Sequence, residues 1–179
     1  IKDWIAANGN RFPYEIDYAV EEVPLGTGGG IRLALDKCRD ENVVVLNGDT
    51  FFDVDIDRFM AEHVAHPASV SIAMKPMHDF DRYGRVIVDL DTDRIEQFCE
   101  KEPCTDGLIN GGVYAINRGR LDLSALPDKF SFEKEVLEPE SAMGNVYGYV
   151  FDGYFIDIGI PEDYHKADRE FPKLFDTAR

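Results

Sequence analysis

Positive charge is scarce in this sequence: 19 Lys and Arg stand against 35 Asp and Glu, for a formal net charge of -16. That balance argues against a broad basic surface that tracks a nucleic-acid backbone, so no DNA or RNA partner is expected. Any phosphate the protein handles must be met locally, by a metal ion, by backbone N–H groups or by a few placed cations. Cysteine is scarce too. Cys38, Cys99 and Cys104 are too few and too irregularly spaced for a disulfide framework or a zinc site, and an odd count fits a reducing compartment. No apolar run approaches membrane-spanning length and the N-terminus has no signal-peptide pattern. A soluble cytoplasmic protein with no membrane partner is the expectation.

What is present suffices for one globular domain over residues 1–179, since 44% of the residues are hydrophobic and no repeats, linkers or low-complexity tracts occur. The organising stretch is Leu46-Asn47-Gly48-Asp49-Thr50. It follows Asn42-Val43-Val44-Val45-Leu46, a valine-rich run that reads as a strand buried on both faces of a sheet. In open α/β sheets the ligand crevice lies outside the carboxyl ends of the strands, so Asp49 would stand as a hard oxygen ligand at a pocket mouth. Gly48 would let a ligand approach the backbone. Asn-Gly-Asp is also ordinary turn chemistry, and both readings stand on this stretch alone.

Around it the pattern alternates helices and strands. Residues 1–7 read as an amphipathic helix, 15–20 as a strand, and 21–30 as a glycine-rich loop entering a helix at Ile31. That loop is either an N–H nest or simply mobile; it is neither the dinucleotide fingerprint nor a P-loop. Residues 55–64 read as a helix, with His63 and His66 a turn apart but no third metal ligand nearby. Strands are expected at 68–74 and 85–90. Residues 94–103 end in a charged knot, read either as a solvated loop or as Lys101 aimed at a phosphate with Glu100 accepting from hydroxyls. Asn110-Gly111-Gly112 interrupts an apolar strand, which implies a bulge or a close ligand, and Asn110 would either read hydroxyls or bond within the bulge. Ser131 reads as a helix cap, 145–150 and 154–159 as β-rich segments, and Pro161 as the first turn of a last helix. Asp157 lies in the apolar run Phe155-Ile156-Asp157-Ile158, which is costly unless the acid is paired or bound to a metal.

Six segments in order resemble the sugar-1-phosphate nucleotidyltransferases: Glu-Glu-x-Pro-Leu-Gly-Thr-Gly-Gly (21–29), Leu-Asn-Gly-Asp-Thr (46–50), Arg-Tyr-Gly (82–84), Glu-Lys (100–101), Ile-Asn-Gly-Gly-Val-Tyr (109–114) and Phe-Ile-Asp-Ile-Gly-Ile-Pro-Glu-Asp-Tyr (155–164). The likeness is greatest to guanylyltransferases for D-glycero-α-D-manno-heptose 1-phosphate or mannose 1-phosphate. It implies a doubly wound, mixed but mostly parallel α/β sheet of the Rossmann-like, nucleotide-diphospho-sugar transferase kind. The resemblance implies that the base lies against Leu25, Gly26, Thr27 and Gly28 with Gly48 near the nucleotide. It implies that Asp49 and Asp157 hold Mg²⁺ and that Lys101 balances the sugar phosphate. Gly84, Glu100, Asn110 and Gly111 would orient the sugar. The implied substrates are GTP, or another nucleoside triphosphate, and a sugar 1-phosphate.

One departure stands out. The family opens with a strand and a Gly-Gly-x-Gly-Thr-Arg-Leu loop followed by a lysine, and neither is found in these 179 residues. The expectation is an N-terminally truncated representative lacking its first strands and inactive alone. Two other classes fit parts of the sequence. A nucleotide-sugar-dependent glycosyltransferase would use an Asp-x-Asp motif, for which Asp53-Val54-Asp55 has the letters. A non-catalytic nucleotide-sugar-binding domain would need no activation loop.

Overall fold

The computed structural model describes residues 1–176. In chain order its elements are α1 (Lys2–Asn8), α2 (Gly26–Leu35), β1 (Asn42–Leu46), β2 (Thr50–Phe52), α3 (Ile56–Ala65), β3 (Val70–Phe80), β4 (Gly84–Asp89), β5 (Arg94–Lys101) and β6 (Cys104–Asn117). A π-helical turn (Glu133–Leu137) then runs into α4 (Glu138–Ala142), followed by β7 (Val146–Val150), β8 (Phe155–Asp157) and α5 (Pro161–Asp176). No described helix is long and apolar enough to cross a membrane.

The main sheet runs β1-β6-β3-β7-β5-β4, and β4 returns to pair with β6. The 14-residue β6 makes this possible. Its C-terminal half pairs with β1, Asn117 opposite Asn42, while Ile109 and Leu108 near its start pair with Arg85 and Val86 of β4. Five strands therefore close into a circuit and β1 is left at an edge. A separate ladder joins β2 to β8.

The sheet is mixed, but it is not mostly parallel as the resemblance implies. Only β3 and β7 run parallel; every other pairing among the described residues is antiparallel. Connection length explains this. Parallel neighbours need a crossover of a dozen residues or more, which the chain between Phe80 and Val146 supplies. The four residues between β4 and β5 permit only a hairpin. The edge position also corrects the expectation for β1: with β6 as its one neighbour it is half-buried, and Leu46 is 61% exposed. Residues 15–20 form no strand, having no described partner to complete a ladder.

Side chains alternate across β3 and β6 and build two core layers. Ile72 opposes Tyr114 and faces a cluster with Phe132 and Leu137; the next pair, Ala73 and Val113, faces Phe52, Phe59 and Phe151. The glycine-rich segment differs most from its sequence reading. Helix α2 begins at Gly26, not Ile31, because the 128–130 segment lies against it. Gly28 N–H donates to Phe130 O, and Phe130 N–H donates to Leu25 O, both at 3.0 Å. A Cβ on Gly28 would collide with the Phe130 ring, and one on Gly29 with the Asp128 carbonyl. Close packing here outweighs the ~1 kcal/mol that each glycine costs inside a helix.

Candidate active site

The start of β4, the end of β5, the middle of β6, the tip of β8 and the π-helical turn converge on a cavity of about 350 Å³. Gly84, Glu100, Lys101, Asn110 and Asp157, far apart in sequence, all line it. The β4–β5 register places Gly84 opposite Lys101. A Cβ on Gly84 would collide with the Cys99 carbonyl, so this glycine is required by the neighbouring strand.

The Asn110-Gly111-Gly112 interruption is a bulge. Ala73 pairs with Val113 but Met74 pairs with Asn110, leaving two extra residues on β6. Gly112 takes φ +72, which favours glycine. Asn110 bonds within the bulge: its Oδ1 accepts from Gly112 N–H at 3.0 Å and its Nδ2 donates to the Tyr114 hydroxyl at 2.9 Å. Gly112, not Gly111, lines the cavity; a Cβ on Gly111 would strike the Phe52 ring.

Asp157 ends β8 opposite Thr50, and Ile158 N–H donates to Asp49 O at 2.9 Å. The two sequence-predicted metal ligands are thus on adjacent backbone. Asp157 Oδ1 accepts from Gly159 N–H at 2.8 Å, while Oδ2 is 3.9 Å from Arg82. Arg82 in turn donates to Asp163 in the first turn of α5 at 2.5 Å. Burial, and then the charge of Asp157, push the Tyr83 phenol up to about 12. Asp49 occupies the exposed turn between β1 and β2; Asn47 and Thr50 line the cavity and Asp49 does not. Among the described residues no cluster of three or more His, Cys, Asp or Glu could hold a metal ion. Two carboxylates nevertheless suit Mg²⁺, which commonly takes one or two from protein and completes its shell with water and substrate phosphates.

A second, more open groove of about 410 Å³ lies between α2 and β1, and Asn47 belongs to both walls. Gly26, Thr27 and Gly48 line it; Leu25 and Gly28 do not. Leu25 is tied down by its N–H to Glu21 and its carbonyl to Phe130. A Cβ on Gly48 would meet nothing within 4 Å. This contrast yields a test. Gly28→Ala is expected to cost about 1–3 kcal/mol in urea unfolding, as overpacking does. Gly48→Ala should leave stability within about 0.5 kcal/mol in the same measurement.

The alternative motifs are structural. Asp55 caps α3, accepting from Arg58 N–H at 2.9 Å. His63 is buried beside the Ser71 hydroxyl, and His66 stacks on Tyr147 while bonding the Tyr149 hydroxyl. The sequence reading passed over Arg82, Tyr83, Glu133 and Lys134. Arg82 and Tyr83 carried a signal, since they precede Gly84 in its motif. Glu133 and Lys134 read only as a helix start.

Residues 4–173 match the nucleotidyl transferase family. The chain is 46% identical over 163 residues to the D-glycero-alpha-D-manno-heptose 1-phosphate guanylyltransferase of Aneurinibacillus thermoaerophilus, covering 90% of this chain and 70% of that one. It is 44% identical over 151 residues to the protein of the same name from Campylobacter jejuni, covering 84% and 65%. The crystal structure of HddC from Yersinia pseudotuberculosis complexed with GMP-PN superimposes with a TM-score of 0.81 at 33% identity, over 95% of this chain and 72% of that one. The chain spans about two thirds of these relatives, and it belongs to the nucleotidyl transferase family.

Proposed function

We propose that this chain carries the sugar-phosphate pocket and the nucleotide-facing groove of an enzyme that transfers GMP from GTP to a sugar 1-phosphate. The sugar we favour is D-glycero-α-D-manno-heptose 1-phosphate, the substrate in the names of the two relatives, ahead of mannose 1-phosphate. The observation that carries the reading is the convergence of Gly84, Glu100, Lys101 and Asp157 on one cavity that shares the Asn47 wall with the groove beside Thr27 and Gly48. A phosphate oxygen of the sugar 1-phosphate attacks the α-phosphorus of GTP; the new P–O bond forms as the bond to pyrophosphate breaks. The protein's share is alignment and charge neutralisation. Lys101 offsets the sugar phosphate, and Glu100 accepts from sugar hydroxyls. Asp49 and Asp157 would hold Mg²⁺, which supplies the positive charge that a chain of net charge -16 lacks.

Pyrophosphate release from a panel of nucleoside triphosphates and sugar 1-phosphates tests this, with calorimetry of the sugar 1-phosphates as a second readout. The pair of GTP with the heptose 1-phosphate should give the fastest release. Absence of release with every pair, together with no sugar 1-phosphate binding, overturns the proposal.

A further inference from the structure

Glu133 opens the π-helical turn and lines the 350 Å³ cavity. Its Oε2 accepts two hydroxyl hydrogens, from Thr27 at 2.9 Å and from Ser131 at 2.8 Å. Its Oε1 receives none from any described residue. Thr27 is itself fixed, because its oxygen accepts from Phe132 N–H at 2.9 Å, and Phe132 is fully buried against Tyr114. One oxygen of this carboxylate is therefore held in place, and the other is left to whatever fills the cavity.

The helical turn has the register this requires. Glu138 N–H bonds to Glu133 O, five residues back, so Glu133 and Glu138 come to the same face and both line the cavity. Leu137, which α-helical spacing would bring under Glu133, is fully buried in the core instead. Such π-turns are rare and concentrate at functional sites. A fixed carboxylate acceptor in a cavity that also contains Lys101 and Lys134 suits a ligand with hydroxyl donors at one end and an anion at the other.

We propose that Glu133 reads hydroxyls of the sugar 1-phosphate, and that Thr27 is a positioning residue acting through it from the adjoining groove. This rests on the sugar-1-phosphate reading above and adds two residues to it. Thr27 lines the groove beside β1 and not the sugar cavity, so it reaches the sugar only through the groups it bonds, Glu133 and the Phe132 backbone, and of these Glu133 alone lines the cavity.

The test is calorimetry of the 179-residue chain with D-glycero-α-D-manno-heptose 1-phosphate and, separately, with inorganic phosphate. Glu133→Gln should weaken the sugar phosphate about tenfold or more, as loss of a hydrogen bond to a charged group does, and leave phosphate within about twofold. Thr27→Val should reproduce a smaller loss, roughly threefold to tenfold, with the same selectivity. Thr27→Ser, which keeps the hydroxyl, should restore wild-type affinity. Thermal unfolding confirms that each variant is folded, and the serine variant keeps the comparison decisive if the valine one is not. Equal losses for both ligands overturn the proposal, as does a sugar affinity within twofold of wild type in Glu133→Gln or Thr27→Val. If the wild type binds phosphate but no sugar 1-phosphate, the broader functional reading fails as well; if it binds the sugar and the variants match it, only this inference fails.

Discussion

In an enzyme that also carries the activation loop, Asp157→Asn should keep the fold and lower the rate of pyrophosphate release by about a hundredfold or more, the scale on which removing one preorganised electrostatic element acts. The fold should survive because the interaction that shapes the end of β8 is the hydrogen bond from Gly159 N–H to Oδ1, which an asparagine oxygen also accepts. The lost charge is another matter. Asp157 has a cation, Arg82, 3.9 Å away, but Arg82 is already engaged by Asp163 at 2.5 Å, so its guanidinium is not what would balance the Asp157 charge at close range. Replacing it removes one of the two carboxylates proposed to hold Mg²⁺; the other, Asp49, is held close by the backbone bond to Ile158. Mn²⁺ binding followed by electron paramagnetic resonance gives a readout independent of turnover, and it should weaken in parallel. Release within tenfold of wild type, or unchanged Mn²⁺ affinity, would mean that Asp157 holds no metal ion.

How far these roles could be seen in advance depends on where each side chain's partner lies. Asp157 was legible because an acid inside Phe155-Ile156-Asp157-Ile158 conflicts with its surroundings, and the conflict is visible along the chain. Lys101 was legible as a cation, although the strand that carries it, β5, was not. Arg94–Lys101 alternates only weakly and takes its conformation from β4 across the hairpin. Gly28 and Gly111 misled for a related reason: a glycine announces that something comes close, not what. At Gly28 the neighbour is Phe130 and at Gly111 it is Phe52, so both make way for the protein's own core. Gly48 has no such neighbour, and the sequence offered nothing to tell the three apart. Glu133 was hidden more deeply, since its partner Thr27 is 106 residues away and the π-register that turns it to the cavity has no composition signature.

Acidification should destabilise the fold through His63, by roughly 3 kcal/mol between pH 6.5 and pH 4. The ring is 1% exposed; its Nδ1 meets the Ser71 hydroxyl at 2.8 Å and its Nε2 is buried without a partner. Protonation would place a charge where no acceptor waits. Burial first, and the nearby Arg120 charge second, lower its pKa from 6.5 to about 4. The unfolded chain takes up this proton near pH 6.5 and the native one does not until about pH 4. The stabilisation is therefore complete above pH 6.5 and is lost progressively as the pH falls toward 4. Surface carboxylates lowered by their own hydrogen bonds, Asp152 to Lys75 and Asp89 to Asp91 and Thr92, also lose their contributions in acid, so the wild-type curve alone does not isolate the histidine. The difference from His63→Asn does. Asparagine can keep the bond to Ser71 while having no proton to gain. Urea unfolding at intervals from pH 7 to pH 4 should show the wild type losing about 3 kcal/mol more than the variant, with the gap opening below pH 6.5. Parallel curves would mean that His63 is not the residue through which acid loosens α3 from β3.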